Sequence, residues 1–187
     1  MDHYLDIHLR PDPELPGTHL MATLFAKLHS VLVALATQNI GVSFPQIDKS
    51  PIGLGEHLRL HGTAAALDAL MARPWLNGLH DYLSLGEKHP VPTKIQFRAV
   101  RRVQTKSSSD RLRRRQIRRH GLSEEEARER IPDSAAKTLA LPYLQLRSQS
   151  TGQHFRLFIQ HGELQTSPVD GVFNSYGLSQ QATIPWF

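Results

Sequence analysis

The chain contains no cysteine. Disulfide frameworks, thiolate nucleophiles and cysteine-ligated zinc are therefore excluded, and a reducing cytoplasm is the expected compartment. Long apolar runs are missing too: none reaches the roughly 18 residues of a membrane span, so no membrane partner is expected. The start, Met1-Asp2-His3-Tyr4, has no basic region leading into an apolar stretch and does not read as a secretory signal. Paired carboxylates at a catalytic spacing, a glycine-rich phosphate loop and a nucleophile elbow are likewise not found. What is present is ordinary globular material, 187 residues with 40% apolar and 21% charged, enough for one large domain or two small ones.

The formal charge of +5 is unevenly placed. Residues 101 to 120 carry eight Arg, one Lys and one Asp, a local +8 that leaves −3 for the other 167 residues. A mildly acidic body with one strongly basic segment suits a polyanion, nucleic acid foremost.

The first half alternates between short strands and helices. Leu5, Ile7 and Leu9 alternate with Asp6 and His8, the period of a strand with one buried face. After Pro11, Pro13, Pro16 and Gly17, apolar residues from Leu20 to Leu35 recur at three- and four-residue spacing, which predicts a long amphipathic helix with Thr18 as its candidate cap. Ile40, Val42 and Phe44 mark a second strand, and Leu58 and Leu60, between His57, Arg59 and His61, a third. Thr63 can cap a helix through Leu67, Leu70 and Met71, and Tyr82 to Leu85 offer a fourth strand. The expected class is α+β, with a ferredoxin-like βαββαβ domain over 1–90 and both helices on one face of its sheet. That architecture hosts unrelated chemistries and proves no function.

His89 to Pro92 reads as a boundary, with an RNA-binding C-terminal α/β region over 91–187. Its first strand alternates from Ile95 to Lys106, which sets Arg102 and Gln104 on one face, roughly 7 Å apart. Arg offers a bidentate fork to guanine and Gln to adenine; a polar strand face is the bland alternative. An arginine-rich helix is expected at about 108–120, with Ser107, Ser108, Ser109 and Asp110 as cap candidates. Arg111, Arg114, Arg115 and Arg118 fall at i, i+3, i+4 and i+7, a guanidinium stripe with Arg119 beside it and little apolar surface. Like charges at that spacing repel, so phosphates are the natural counterpart. Ser123 and Glu126 form a capping box for a further short helix. Leu144 and Leu146 set one face of a strand that continues as Ser148 and Ser150; Thr151-Gly152 turns the chain into 154–159, a β-hairpin with two hydroxyls near its tip. Ile184-Pro185-Trp186-Phe187 is an apolar end that should dock on the body.

Among eleven histidines, His57 and His61 are four apart, but on a strand they do not converge, and no Cys or acidic neighbour completes a site. No metal and no cofactor are expected. His29 lies at the edge of the apolar stripe between Phe25 and Leu32. RNA cleavage needs no metal, because the ribose 2′-hydroxyl is an internal nucleophile; a His, a Tyr and Ser hydroxyls can move its proton and align it.

The stretches MDHYLDI, RRVQTKS, RLRRRQIRRHGLSEEEA, LRSQSTGQHFRLFI, YGLS and the terminal PWF, in order along the whole chain, resemble the endoribonuclease family that matures CRISPR RNA in subtype I-F systems. The resemblance implies a metal-independent enzyme that cuts at the 3′ base of a repeat stem-loop. It also implies that the enzyme stays bound to its product beside other subunits of an interference complex, being a monomer in isolation. His29 then resembles the catalytic histidine, Ser148 the serine that positions the 2′-hydroxyl with Ser150 close by, and Tyr176 the tyrosine that orients the site. Arg102 and Gln104 resemble the pair that reads the last base pairs, and Phe155 the aromatic stacked at the stem base; Lys106 is a further RNA-binding candidate. Arg114, Arg115, Arg118, Arg119 and His120 resemble the helix that enters the major groove, and Arg111 is a further RNA-binding candidate. An A-form groove is too narrow for side chains, but it opens at the ends of a short hairpin. A non-catalytic stem-loop-binding assembly subunit explains charge and fold equally well.

Overall fold

A computed structural model describes residues 1–47, 53–104, 109–131, 140–148 and 151–187, without the side chains of 109–111. By contacts the chain divides into two compact units, 1–102 with 142–187, and 103–141.

In the first unit, β1 (His3–Leu9), β2 (Gly41–Ser43), β3 (His57–Gly62) and β4 (Leu83–Pro90) form a four-stranded sheet in the order β2-β3-β1-β4, with every neighbour antiparallel. Helices α1 (Gly17–Leu35) and α2 (Ala64–Met71) complete the βαββαβ order. Strand alternation decides the layering. Leu5, Ile7 and Leu9 of β1 and Leu58 and Leu60 of β3 are buried in one cluster with Leu24, Phe25 and Leu28 of α1 and Leu67 and Leu70 of α2. Asp6, His8, His57 and Arg59 project from the other face. α1 has the length and apolar character to cross a bilayer, yet seven of its side chains, Leu20 to Leu32, are buried. That is the behaviour of a core helix.

Thr63 accepts a hydrogen bond from the Ala66 N–H and caps α2 as expected. Thr18 does not cap α1. The helix starts one residue earlier, at Gly17, with Pro16 at the cap position making no side-chain bond. The Pro16 carbonyl receives the His19 and Leu20 N–H groups, and Thr18 is left exposed in the first turn. A proline φ of −56° prepares that entry without a hydroxyl.

A second sheet follows, built from β5 (Gln96–Val103), β6 (Tyr143–Arg147), β7 (His154–His161) and β8 (Thr183–Trp186) in the order β6-β7-β5-β8. β6 and β7 form the expected hairpin, Leu146 facing Phe155 and Arg147 facing His154, and Gly152 turns it at φ +69°. β8 is an edge strand, where Pro185 removes no internal ladder bond. The apolar terminus does dock: Ile184 is fully buried and Trp186 packs on the shared core. That core takes in Val100, Leu144, Leu157 and Ile159, and β6 packs on α1.

The second unit contains α3 (Ser109–His120) and α4 (Glu124–Arg130), packed on each other. Ser123 and Glu126 make the reciprocal capping box, with three glutamates in the first turn and Arg128 and Arg130 in the last, the signs the helix dipole favours. Arg113, off the guanidinium stripe, donates Nε–H to the Ile131 carbonyl at 2.9 Å and ties α3 to the end of α4. Of the proposed caps, Ser107 and Ser108 lie outside the described residues, and Ser109 and Asp110 are already inside α3.

Candidate active site

α1 carries Phe25 and His29 four residues apart, hence on one face. Facing them is the segment 173–178, a turn held by its own backbone and by one side chain. Asn174 Oδ1 accepts the Tyr176 N–H at 2.8 Å and the Leu178 N–H at 3.3 Å, and the Asn174 carbonyl accepts the Gly177 N–H at 2.8 Å. The Gly177 carbonyl receives the Val42 N–H at 3.0 Å, which fastens the turn to β2. Gly177 has φ +69°, and a Cβ there would stand 2.6 Å from Val42 Cγ1, so only glycine fits.

This turn delivers two groups to His29. The Ser175 carbonyl lies 2.8 Å from Nδ1. A carbonyl oxygen only accepts, so Nδ1 carries the hydrogen, and in the neutral ring the lone pair is on Nε2. The Tyr176 ring lies parallel to the imidazole at 3.9 Å and 7°, and it is also parallel to Phe25, with centroids 6.1 Å apart. The half-buried imidazole is thus fixed in both orientation and tautomer.

Arg102, near the end of β5, sits with Cζ 5.8 Å from the Tyr176 ring and 5.9 Å from the Phe155 ring, close to the outer range of cation–π attraction. Its carbonyl accepts from Gln180 Nε2 at 2.9 Å. His29, Arg102, Phe155 and Tyr176, which span the chain from α1 to the C-terminal turn, therefore form one contiguous cluster. Ser148 follows β6, the strand packed on α1; its N–H donates to the Gln153 carbonyl at 2.8 Å and its Oγ accepts the Thr151 N–H at 3.3 Å. Gln104 is exposed one residue beyond β5, so the strand that should have run to Lys106 stops at Val103. Lys106 and Ser150 lie outside the described residues, as does the side chain of Arg111. Arg114, Arg115, Arg118, Arg119 and His120 are exposed on α3.

Neither Asn174 nor the Ser175 carbonyl stands out in the sequence as part of a site. The available signal for the first is Asn followed by Gly three residues later, a turn signature; a backbone carbonyl leaves none.

A second group of polar residues lies on the outer face of the first sheet. On the sequence alone no acidic neighbour completes a site at His57, but the fold supplies one in Asp6. Cross-strand register pairs His8 with His57 and Asp6 with Arg59, and it brings Asp6 Oδ1 to 2.8 Å from His57 Nε2. Burial pushes the Asp6 carboxyl up, but His57 and Arg59 outweigh it and hold the group well below the usual carboxylate range. Burial lowers His61 to about 3, with Arg59 adding to the effect, and His61 Nε2 stands 2.8 Å from Ser43 Oγ. His161 is likewise lowered to about 3, by burial and then by Arg98.

The family model for CRISPR-associated protein (Cas_Csy4) matches residues 4–187. The chain is 60% identical over 187 residues to the CRISPR-associated endonuclease Cas6/Csy4 of Pseudomonas aeruginosa (strain UCBPP-PA14), with 100% of each chain covered. It is 51% identical, again over 187 residues and 100% of each, to the protein of the same name from Escherichia coli (strain UTI89 / UPEC). Full-length similarity of this order, on a chain whose imidazole is held by a turn at the far end of the sequence, shows that the protein belongs to the Cas_Csy4 family of CRISPR-associated proteins.

Proposed function

We propose that the protein is an endoribonuclease that binds a repeat stem-loop in precursor CRISPR RNA and cuts at the 3′ base of the stem, staying bound to its product. Its relatives carry the name endonuclease over their full length. The observation that bears most on the chemistry is His29, with Nδ1 committed to the Ser175 carbonyl and its ring against Tyr176. That leaves Nε2 as the nitrogen that exchanges a proton with RNA.

The reaction is transesterification. The 2′-oxygen forms a bond to the adjacent phosphorus, the bond from phosphorus to the 5′-oxygen breaks, and the proton lost by the 2′-hydroxyl balances the one gained by the leaving oxygen. The products are a 2′,3′-cyclic phosphate and a 5′-hydroxyl. His29 Nε2 serves as base or acid in this exchange, Ser148 and Ser150 hold the 2′-hydroxyl, and Tyr176 orients the imidazole. Arg102, Gln104 and Lys106 address the last base pairs, with Phe155 stacked beneath them. Arg111, Arg114, Arg115, Arg118, Arg119 and His120 of α3 face the duplex phosphates. In this reading residues 1–90, a ferredoxin-like half, supply His29, and 91–187 supply the RNA grip. The remaining subunits of a subtype I-F interference complex are the protein partners, in the cytoplasm.

A stem-loop carrying 2′-deoxyribose at the nucleotide before the cut tests the mechanism. It should bind with unchanged affinity and remain intact, and EDTA should not slow cleavage of the all-ribose RNA. Cutting of the deoxy substrate, or loss of activity on chelation, overturns the reading. Equal processing by wild type and His29→Ala would leave an assembly subunit only.

A further inference from the structure

The geometry points to a metal site, separate from the cleavage chemistry, formed by Asp6, His8 and His57 on the outer face of the first sheet; we propose that it takes a borderline divalent cation, Zn2+ foremost. The three side chains offer one carboxylate oxygen and two imidazole nitrogens, all within 4.8 Å of one another. A tetrahedral ion with bonds of about 2.0–2.2 Å holds its ligand atoms roughly 3.4 Å apart, so closing the site needs shifts on the order of 1 Å. His8 is exposed and can close the longer gaps, while Asp6 and His57, 2.8 Å apart, must open by roughly 0.6 Å to admit the ion. The frame is stiff: His8 and His57 are directly opposed cross-strand partners, their rings stacked with centroids 4.0 Å apart.

An independent observation calls for a cation at this place. His57 Nε2 is buried and has no partner of regular hydrogen-bond geometry among the described residues, and it stands 2.8 Å from Asp6 Oδ1. A buried imidazole nitrogen and a carboxylate oxygen at that distance call for positive charge between them, a proton or a metal ion. A metal ion held by Asp6 and both imidazoles supplies that charge. Arg59 acts as the outer support: Nε and Nη2 donate to the two Asp6 oxygens at 2.7 and 2.9 Å, fixing the carboxylate and leaving lone pairs for the ion. The same guanidinium offsets the carboxylate charge, so the site is a modest binder rather than a tight cage. His and Asp as the donor set suit zinc and its neighbours and disfavour Mg2+ and Ca2+. A bound ion would staple β1 to β3, whereas His29 sits on a helix against the opposite face.

Isothermal titration of the metal-free full-length protein with ZnCl2 at near-neutral pH, paired with thermal melts, tests the site. One ion per chain and a rise in Tm are expected, with a Co2+ absorption spectrum of four-coordinate intensity. His8→Ala, an exposed substitution, should weaken binding about tenfold or more, and the surface control His80→Ala should leave it unchanged. RNA cleavage in EDTA should match that of untreated protein, which keeps this site distinct from the cleavage reaction. Zn2+ binding of equal strength in His8→Ala, or no heat and no Tm shift in wild type, overturns the proposal.

Discussion

Replacing Tyr176 separates what its ring does from what its hydroxyl does. The ring stacks on the imidazole of His29 at 3.9 Å and lies 5.8 Å from the Arg102 guanidinium. Aromatic stacking contributes about 0.5–1.5 kcal/mol beyond area burial, and a cation–π contact at an accessible site about 0.5–1 kcal/mol. Together these give about 1–2.5 kcal/mol, and at 1.36 kcal/mol per factor of ten the expected loss in Tyr176→Ala is about 5- to 70-fold in rate. The backbone of the turn should survive, because the Tyr176 N–H is held by Asn174 and not by its own side chain. Tyr176→Phe keeps the whole face of the ring and should cleave within a factor of about three of wild type. The assay is single-turnover cleavage of a labelled stem-loop at saturating protein, with affinity measured separately on the deoxy substrate. If Tyr176→Phe loses as much as Tyr176→Ala, the hydroxyl is chemically engaged and the stacking account is refuted.

Gly177→Ala should be worse for cleavage than its distance from the reacting atoms suggests. The positive φ costs roughly 1–2 kcal/mol for an L side chain, and the added carbon would meet Val42 at 2.6 Å, displacing the turn that carries Ser175 and Tyr176. Wild-type rates in that variant would show that the turn does not position His29. His61 and His161 are lowered to about 3 from 6.5, so the unfolded chain binds more protons than the folded one between those values. Their stabilisation is complete above about pH 6.5 and falls as pH drops toward about 3, at up to roughly 1.4 kcal/mol per pH unit each. Thermal melts at decreasing pH should show this, and His161→Phe should reduce the slope between about pH 6.5 and 4; an unaltered slope would exclude His161 as a source. Contacts to about five phosphates predict a slope of log K against log salt near −3 to −4. Each Arg→Ala on α3 should then reduce it by less than one, and a slope insensitive to Arg114→Ala and Arg115→Ala together would remove those two from the interface.

Periodicity located the strands and helices that carry the core, since Leu5, Ile7, Leu9, Leu58 and Leu60 announce their buried face by alternation alone. Ends were less legible. Thr18 looked like a cap because hydroxyls usually are one, while the nearby Pro16 supplied the entry geometry without leaving a hydrogen-bonding signature. The strand from Ile95 stops at Val103 although the alternation continues, because alternation records a face and not the length of a partner. Pairings across long separations were beyond reach. Asp6 and His57 are neighbours only through the β1–β3 register, and Ser175 reaches His29 through a backbone atom that residue identity does not encode. Gln104 and Arg102 share a sequence parity, yet one is exposed past the strand end and the other lies between two aromatic rings.

The bond from His29 Nδ1 to the Ser175 oxygen has an unusual kind of robustness. Side chains that orient catalytic imidazoles can be lost in one codon change, whereas every amino acid brings the same main-chain oxygen to this position. Position 175 should therefore accept wide chemical variety, and the vulnerable points shift to residues that set the path of the chain around it.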